Sequence, residues 1–513
     1  MSATARTARA IAITAFLVYA LTGGGRIVGS DEVTMFEVAR ALPAGGVVVP
    51  EGATVTRADG SHVSKNAAGQ AVLALPLVSL SDALARAAHL DPQRATLAAR
   101  FGASFFDAIV TAVLLAVFYA GARALGVSGG AALAATLMLG FTTPLWVYAK
   151  SFMAEPMQGL GLLLTILGAA LAPSRPRAGW LAGLGILLAV SVKLSMLVLV
   201  AAAALPLLTT PRAWLGALTG LGLALLGHGL YDYARFHDVL ETGYGAQATP
   251  AAYTTPILVG LYGLLISSGK GVMWFAPALG LAPIGWRAIR SRAADEEGSS
   301  ESRGSAARRA AWSVLFSWLV GLALYARFQH WAGDGSYGPR YLIPLLPGAF
   351  LPVAFALVGA RARARTAATI LATLGLLVQI GGVAIYFGAQ MREAGDYPYT
   401  LPLEHPRFMS DSHFNPRFSP IAAHWRMMGR NLSEHLQGRA PRIAAGGTRD
   451  PRLGVSVEDQ KALLHALDFW WLYLGYAGLP RAPVVGVLAL LSLLAAVAIA
   501  RLRSAYRAEA KTT

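Results

Sequence analysis

Residues 6–43 read RTARAIAITAFLVYALTGGGRIVGSDEVTMFEVARALP, and the order of their parts decides the fold. Arg6 and Arg9 lead into an apolar run near 9–24. Gly29-Ser30-Asp31-Glu32 follows almost at once, and then Val33–Leu42, whose apolar residues recur at helical spacing until Pro43. The pattern predicts a membrane helix that delivers the chain straight into a short amphipathic helix on the far surface. The whole chain extends the theme. Of its 513 residues, 55% are hydrophobic and 14% charged, with a mean hydropathy of +0.52, whereas a soluble protein carries roughly 25% charged residues. These values exclude a large soluble enzyme, a disordered chain and a fibre. They predict an all-α polytopic membrane protein.

A bilayer core of about 30 Å takes about 20 mostly apolar residues per helix. Runs near 9–24, 100–121, 128–148, 155–172, 179–192, 195–209, 213–234, 271–288, 310–328, 341–360, 366–388 and 482–500 predict about 12 transmembrane helices. Residues 179–209 are split at Ser191-Val192-Lys193, because a Lys at the midplane is costly. Two short helices meeting at the outer surface put it in water. An even count places both ends on one side. Cleavage of the first run as a signal peptide would leave an odd count, with the Arg-rich tail opposite its start. The segments assigned inside hold 19 Lys and Arg against 5 acids, as the positive-inside rule requires. Two long outer segments remain, 25–99 and 389–481. The expected division is a transmembrane region (1–388), an extracytoplasmic loop region (389–481), and a last helix with a cytoplasmic tail (482–513). Residues 291–309 read as a polar cytoplasmic loop.

The 43 Lys and Arg exceed the 27 Asp and Glu, for a net charge of +16. The basic residues lie in short clusters between apolar runs, so topology explains them and no nucleic-acid partner is expected. The chain has no Cys, which excludes disulfides, Cys-ligated zinc and a thiol nucleophile.

The remaining ionisable residues gather at one depth. Asp31 and Glu32 suit the first turn of a helix capped by Ser30, and equally suit a carboxylate held at headgroup depth. Lys65 heads the polar start of Ser64–Pro76, where it could simply snorkel. Lys150 and Glu155 flank a short outer turn. Lys193 falls at the predicted helix break. Arg235-Phe236 and Thr242-Gly243-Tyr244 follow span seven. Ser267-Ser268-Gly269-Lys270-Gly271 has the look of a phosphate nest without the full Walker pattern. Trp331–Pro347 carries Tyr337 and Arg340 among glycines and interface aromatics. His405, Asp411, His413, His424 and His435 lie in the second long loop, and the histidine spacings of 8, 11 and 11 fit no compact metal site. These read as structural or solvated. A divalent metal is possible but not indicated, and no cofactor is expected.

Carboxylates and cations at one membrane depth suit a phosphate-bearing lipid and a hydroxylated acceptor. When a sugar leaves a polyprenyl phosphate, the departing phosphate is already a stable anion, so the paired acid of glycoside hydrolysis is not needed. One carboxylate to accept a proton and cations to neutralise the phosphate suffice.

In their order along the chain, several motifs resemble the GT-C membrane glycosyltransferases, in the branch of protein O-mannosyltransferases and lipid A aminoarabinose transferases (glycosyltransferase family 39-like). They are Asp31-Glu32 after the first helix, Ser64-Lys65 … Gly69-Gln70 … Leu75-Pro76, the helices around Lys193, Arg235-Phe236 … Thr242-Gly243-Tyr244, Ser268–Gly271 with Pro277, and Gly338-Pro339-Arg340-Tyr341-Leu342-Ile343-Pro344. The resemblance covers most of 1–360 and extends weakly to Asp468–Trp471. It implies a bacterial inner-membrane enzyme that moves a sugar from a polyprenyl-phosphate donor to a lipid, glycan or protein hydroxyl, with inversion, at an extracytoplasmic site. It implies Asp31 as catalytic carboxylate with Glu32 beside it, and Lys65, Arg340 and Lys270 on the donor phosphate. Glu155, Tyr337 and Tyr244 would contact acceptor or sugar. Residues 389–481 match no sugar-binding module of the family. The competing expectation is a secondary transporter or flippase. That reading needs ionisable groups at the midplane and repeats, where the sequence offers Asp107 and His228 and no visible repeat.

Overall fold

The computed structural model describes residues 2–50, 54–295, 303–333, 335–393, 413–443 and 457–511. Helix α1 (Ala3–Thr22) starts on Ser2, whose hydroxyl accepts the Ala5 N–H at 3.2 Å. Then come α2 (Ser30–Ala41), α3 (Gly69–Ala87), α4 (Pro92–Ala103), α5 (Phe106–Ala124), α6 (Gly129–Phe141), α7 (Leu145–Tyr148) and α8 (Glu155–Leu171). The middle of the chain supplies α9 (Ala178–Val192), α10 (Met196–Ala203), α11 (Trp214–Phe236), α12 (Ile257–Leu265), α13 (Val272–Phe275), α14 (Ala282–Asp295) and α15 (Arg303–Arg327). The last part supplies α16 (Leu346–Ala356), α17 (Ala362–Ala384), α18 (Phe387–Glu393), α19 (Pro420–Leu436), α20 (Val457–Ala462), α21 (Trp470–Tyr476) and α22 (Arg481–Ala510).

Most apolar runs read from the sequence fall on helix, while 195–209, 271–288 and 341–360 pass through 3-10 turns. Among the described residues, 7 helical stretches are long and apolar enough to cross a membrane, and four shorter apolar ones accompany them. The break at Lys193 is real: α9 stops at Val192, Lys193 is extended, and α10 begins at Met196. One stretch of spanning length, α3, was expected at the interface instead. Leu218, Leu226 and Leu230 of α11, and Val485, Leu490 and Leu493 of α22, are exposed. An apolar face without a protein partner is what lipid covers. Inside the bundle, α9 and α11 touch through glycine: a Cβ on Gly183 or Gly220 would sit 2.0 Å from the other helix's backbone. Small residues let membrane helices close to this distance.

Both termini sit at one end of the bundle. Glu509 on α22 accepts hydrogen bonds from Thr4 (2.9 Å), Arg123 (2.9 Å) and Tyr119 (2.8 Å). At the other end of α1, the Trp470 and Trp471 indoles donate to the carbonyls of Ala20 and Leu21.

The segment 25–99 is more built than its sequence suggested. Helix α2 was expected to lie on the surface, but Val33, Met35, Phe36, Val38 and Ala39 are buried against its neighbours. Its polar side is tied to α3 by Arg40–Asp82 (3.1 Å) and to α4 by Arg100–Glu37 (3.3 Å). Its cap is Gly29, one residue before the expected Ser30, because the Glu32 carboxylate reaches back to the Gly29 N–H at 2.7 Å. A hairpin follows, β1 (Thr54–Thr56) antiparallel to β2 (His62–Ser64), with Val55 opposite Val63. The described parts of 389–481 cover the ends of the helices opposite the termini. His413 C=O accepts from the Gly269 N–H, Ser419 donates to Ser268 C=O (3.1 Å), and Trp425 donates to Leu377 C=O (3.1 Å).

Candidate active site

Strand β2 ends at Ser64, so the next two residues, Lys65 and Asn66, leave the hairpin together. The Arg235 guanidinium fixes that exit by donating to the Ser64 carbonyl while pairing with Asp232 one turn earlier on α11. Three residues later Gly69 opens α3. A Cβ there would lie 2.4 Å from the Ser191 carbonyl oxygen, so glycine alone lets the start of α3 rest on the end of α9. Gln70 then donates to Phe152 C=O at 2.9 Å. These contacts bring the hairpin exit, the Lys193 break and the turn before α8 to one place. Arg340 arrives from the opposite side, at the start of a 3-10 turn (Arg340–Leu345) after Gly338, whose φ is +65°.

The result is a cavity of about 370 Å³ at the ends of α2, α8, α9, α11 and α15, lined by Asp31, Lys65, Asn66, Glu155, Gln158, Lys193, Asp232, Arg235, Tyr244, His330 and Arg340 among others. Asp31 stands between cations, Oδ2 3.2 Å from Arg340 Nη2 and Oδ1 3.8 Å from Lys65 Nζ. Asn66 donates weakly to Oδ1 at 3.5 Å, and its own carbonyl accepts from Tyr244 at 3.2 Å. Arg340 is shared, since its Nε donates to Glu155 Oε1 at 2.6 Å. The other Glu155 oxygen is buried and has no hydrogen-bond partner among the described residues. Lys193 Nζ lies 4.6 Å over the Tyr341 ring, and Tyr341 stacks on Tyr325 at 4.6 Å. Among the described residues Lys193 has no carboxylate within 4 Å.

Burial would raise the Asp31 pKa, but Arg340 and Lys65 outweigh it and hold it at about 2. Burial lowers the Lys193 ammonium and Arg340 lowers it further, to about 8, against the pull of Glu155 and Asp31. Asp31 is therefore an anion throughout the neutral range, and Lys193 is a cation that titrates just above it.

Of the residues singled out in the sequence, Asp31, Lys65, Glu155, Tyr244 and Arg340 line this cavity. Three stand elsewhere. Glu32 turns to the other side of α2, where its oxygens accept the Gly29 and Phe152 N–H groups, both at 2.7 Å. It ties α2 to the turn before α8. Lys270 is buried, donating to Ser336 C=O at 2.5 Å and lying over Phe387. Around it the Gly269 N–H goes to His413 and the Gly271 N–H to Ser267, so the nest-like run is bonded within the protein. Tyr337 donates to Val378 C=O at 2.9 Å and stacks on His424.

Glu32 and Tyr337 line a separate cavity of about 130 Å³ with Arg26, Lys150 and Asp468. Asp468 pairs with Arg26 at 2.6 Å and Lys150 at 2.8 Å, and these cations keep it well below the usual carboxylate range despite burial. Of the polar residues noted in the second long loop, His405 and Asp411 lie outside the described residues. His413 packs on Trp331 and Phe414. His424 is buried, which pushes it down to about 3, and His435 bonds Tyr476 at 2.6 Å. No three His, Cys, Asp or Glu among the described residues stand together as a metal site would need.

Lys193, Asn66, Gln158 and His330 were not singled out as site residues. Lys193 alone carried a signal, as the charge that forces a helix break.

No model of a known protein family matches the chain, and no curated protein matches it in sequence. Solved structures do match. ArnT from Cupriavidus metallidurans bound to undecaprenyl phosphate aligns with a TM-score of 0.50 at 14% identity, over 96% of this chain and 77% of that one. The apo state of the same protein aligns at 0.51 and 14%, over 97% and 76%. Almost the whole chain is thus laid out as in ArnT, and its fold is that of a GT-C-type polytopic membrane protein.

Proposed function

We propose that the chain is a membrane glycosyltransferase that moves a sugar from a polyprenyl-phosphate donor to a hydroxyl of a lipid, glycan or protein acceptor, at the outer face of a bacterial cytoplasmic membrane. One observation carries the proposal: Asp31 is held between Arg340 and Lys65 in a cavity whose remaining ammonium, Lys193, has no carboxylate within 4 Å among the described residues. A surplus cation beside a carboxylate is a place for an anion and a proton acceptor together. The likeness in fold to a protein solved with undecaprenyl phosphate supports the donor class.

The donor phosphate binds Lys193 and draws Lys65 and the Nη groups of Arg340 toward it. As the bond between the anomeric carbon and the phosphate oxygen breaks, charge grows on phosphate and these cations meet it. The acceptor oxygen attacks the anomeric carbon from the opposite face, so configuration inverts, and Asp31 takes the hydroxyl proton. At about 2 the free carboxylate is a weak base. A phosphate that draws off Arg340 and Lys65 removes the groups that hold it there, so the base gains strength as the donor binds. Glu155 stays on Arg340 Nε and steers it. Glu32 and Lys270 act as positioning groups.

The test compares the purified wild type with Asp31→Asn across a panel of polyprenyl-phosphate sugars, following free polyprenyl phosphate. Release should fall roughly 10²–10⁴-fold. Binding of polyprenyl phosphate should be kept or tightened, since two cations lose their competing carboxylate. Unchanged release in the variant would overturn the role of Asp31. Wild type that binds the donors but releases none would favour lipid-linked transport.

A further inference from the structure

Any occupant of the larger cavity meets a countable set of charges. The cations lining it are Lys65, Lys193, Arg235 and Arg340, and the carboxylates are Asp31, Glu155 and Asp232. Each carboxylate is already matched: Asp31 by Arg340 and Lys65, Glu155 by Arg340 at 2.6 Å, and Asp232 by Arg235. His228 and His330 also line it, and His228 Nε2 is engaged with Val190 C=O at 2.7 Å. Among the described residues the balance is one positive charge, standing on Lys193. A phosphodiester joining polyprenol to a sugar carries one negative charge and closes the balance. It stays closed after transfer, when the phosphate bears two charges and Asp31 holds the acceptor's proton. An ammonium on the sugar would add a charge that no carboxylate among the described lining residues is left to meet, and an uncompensated charge in a low-dielectric site is costly.

We infer that the sugar delivered by the donor is uncharged, a neutral hexose or pentose or an N-acylated amino sugar, and that a sugar bearing a free amine is rejected. The inference rests on the transferase reading above and specifies its substrate class.

The experiment uses the full-length wild type with three synthetic donors on one polyprenyl phosphate: a neutral sugar, its amino-deoxy analogue, and the N-formyl derivative of that analogue. Competition against labelled polyprenyl phosphate and release of polyprenyl phosphate are both read at pH 7 and at pH 9.5, where the amine is largely neutral. At pH 7 the amine donor should bind at least tenfold more weakly than the neutral one. N-formylation should close most of that gap, and so should pH 9.5. Lys193→Gln, which removes the surplus charge, should narrow the gap at pH 7. Equal or tighter binding of the amine donor, with the neutral donor also bound, overturns the inference and leaves the transferase reading standing. A gap that neither formylation nor pH changes is steric and also overturns it. Failure to bind or cleave any of the three overturns the transferase reading, and the inference with it.

Discussion

Among the described residues of the cavity, Lys193 is the cation with no carboxylate within 4 Å, and its position near 8 makes its service to a ligand pH-dependent. It is protonated below about 8 and neutral above. Affinity for a polyprenyl phosphate should therefore hold from pH 6 to 7.5 and fall as pH rises through 8 to 9. Lys193→Gln should weaken binding about 10–100-fold at pH 7, the scale of a charge-assisted hydrogen bond of about 1.5–3 kcal/mol, and should flatten the alkaline decline. Titration calorimetry with a short-chain analogue checks both. A decline that persists in the variant would move the titrating group elsewhere. Neighbouring Asp31 and Glu32 make a second contrast at this scale. Consecutive helical residues point about 100° apart, so one carboxylate enters the cavity and the other reaches backbone N–H groups. Glu32→Gln puts an NH₂ against one of those donors. It should cost about 1–3 kcal/mol of stability and lower the melting temperature, whereas Asp31→Asn should leave melting nearly unchanged while release collapses. The sequence motif named both acids, and nothing in it says which of two adjacent residues faces in.

At the scale of elements, the long helices were legible because twenty apolar residues in a row admit few alternatives, and the break at Lys193 was legible because a midplane ammonium does not. The hairpin was not. Its strands are three residues each, too short for period-2 alternation to stand out, yet it is what carries Lys65 and Asn66 to Asp31. Lys270 and Tyr337 stand outside the cavity for a related reason: each sits within a motif of the right composition, but Lys270 reaches Ser336 and Phe387, and Tyr337 reaches Val378 and His424. The joint between α3 and α9 is where the site is most sensitive to packing. Gly69→Ala drives a Cβ to 2.4 Å from Ser191 O. Forcing the helices apart should cost about 1–3 kcal/mol and lower kcat/KM, because Lys65 and Lys193 sit on opposite sides of that contact. Gly222 on α11 has nothing within 4 Å of its Cβ, so Gly222→Ala should be neutral or stabilise by about 0.5–1 kcal/mol. Equal effects of the two in melting and turnover assays would show that the contact at Gly69 does not position the site.

For the whole molecule, the proposed chemistry requires the cavity to face away from the end where the termini meet. Thr4, Arg123 and Glu509 define that end. The hairpin tip and α19 lie with the cavity at the other, where Arg26, Lys150 and Asp468 bind the chain just after α1 to the segment before α21. The positive-inside reading puts the termini in the cytoplasm. The chain contains no Cys, so single introduced thiols report cleanly. Ala58 at the hairpin tip, Gln437 after α19, Ala362 at the start of α17 and Ser504 in α22 are all exposed. In intact spheroplasts a membrane-impermeant maleimide should label Ala58→Cys and Gln437→Cys, and should label Ala362→Cys and Ser504→Cys only after permeabilisation. The reverse pattern would place Asp31 in the cytoplasm, where an exported acceptor could not reach it, and the outer-face assignment would fall. Labelling of Ala58→Cys and Ser504→Cys from the same side would contradict the bundle itself, because their two ends of it would then share one face of the membrane.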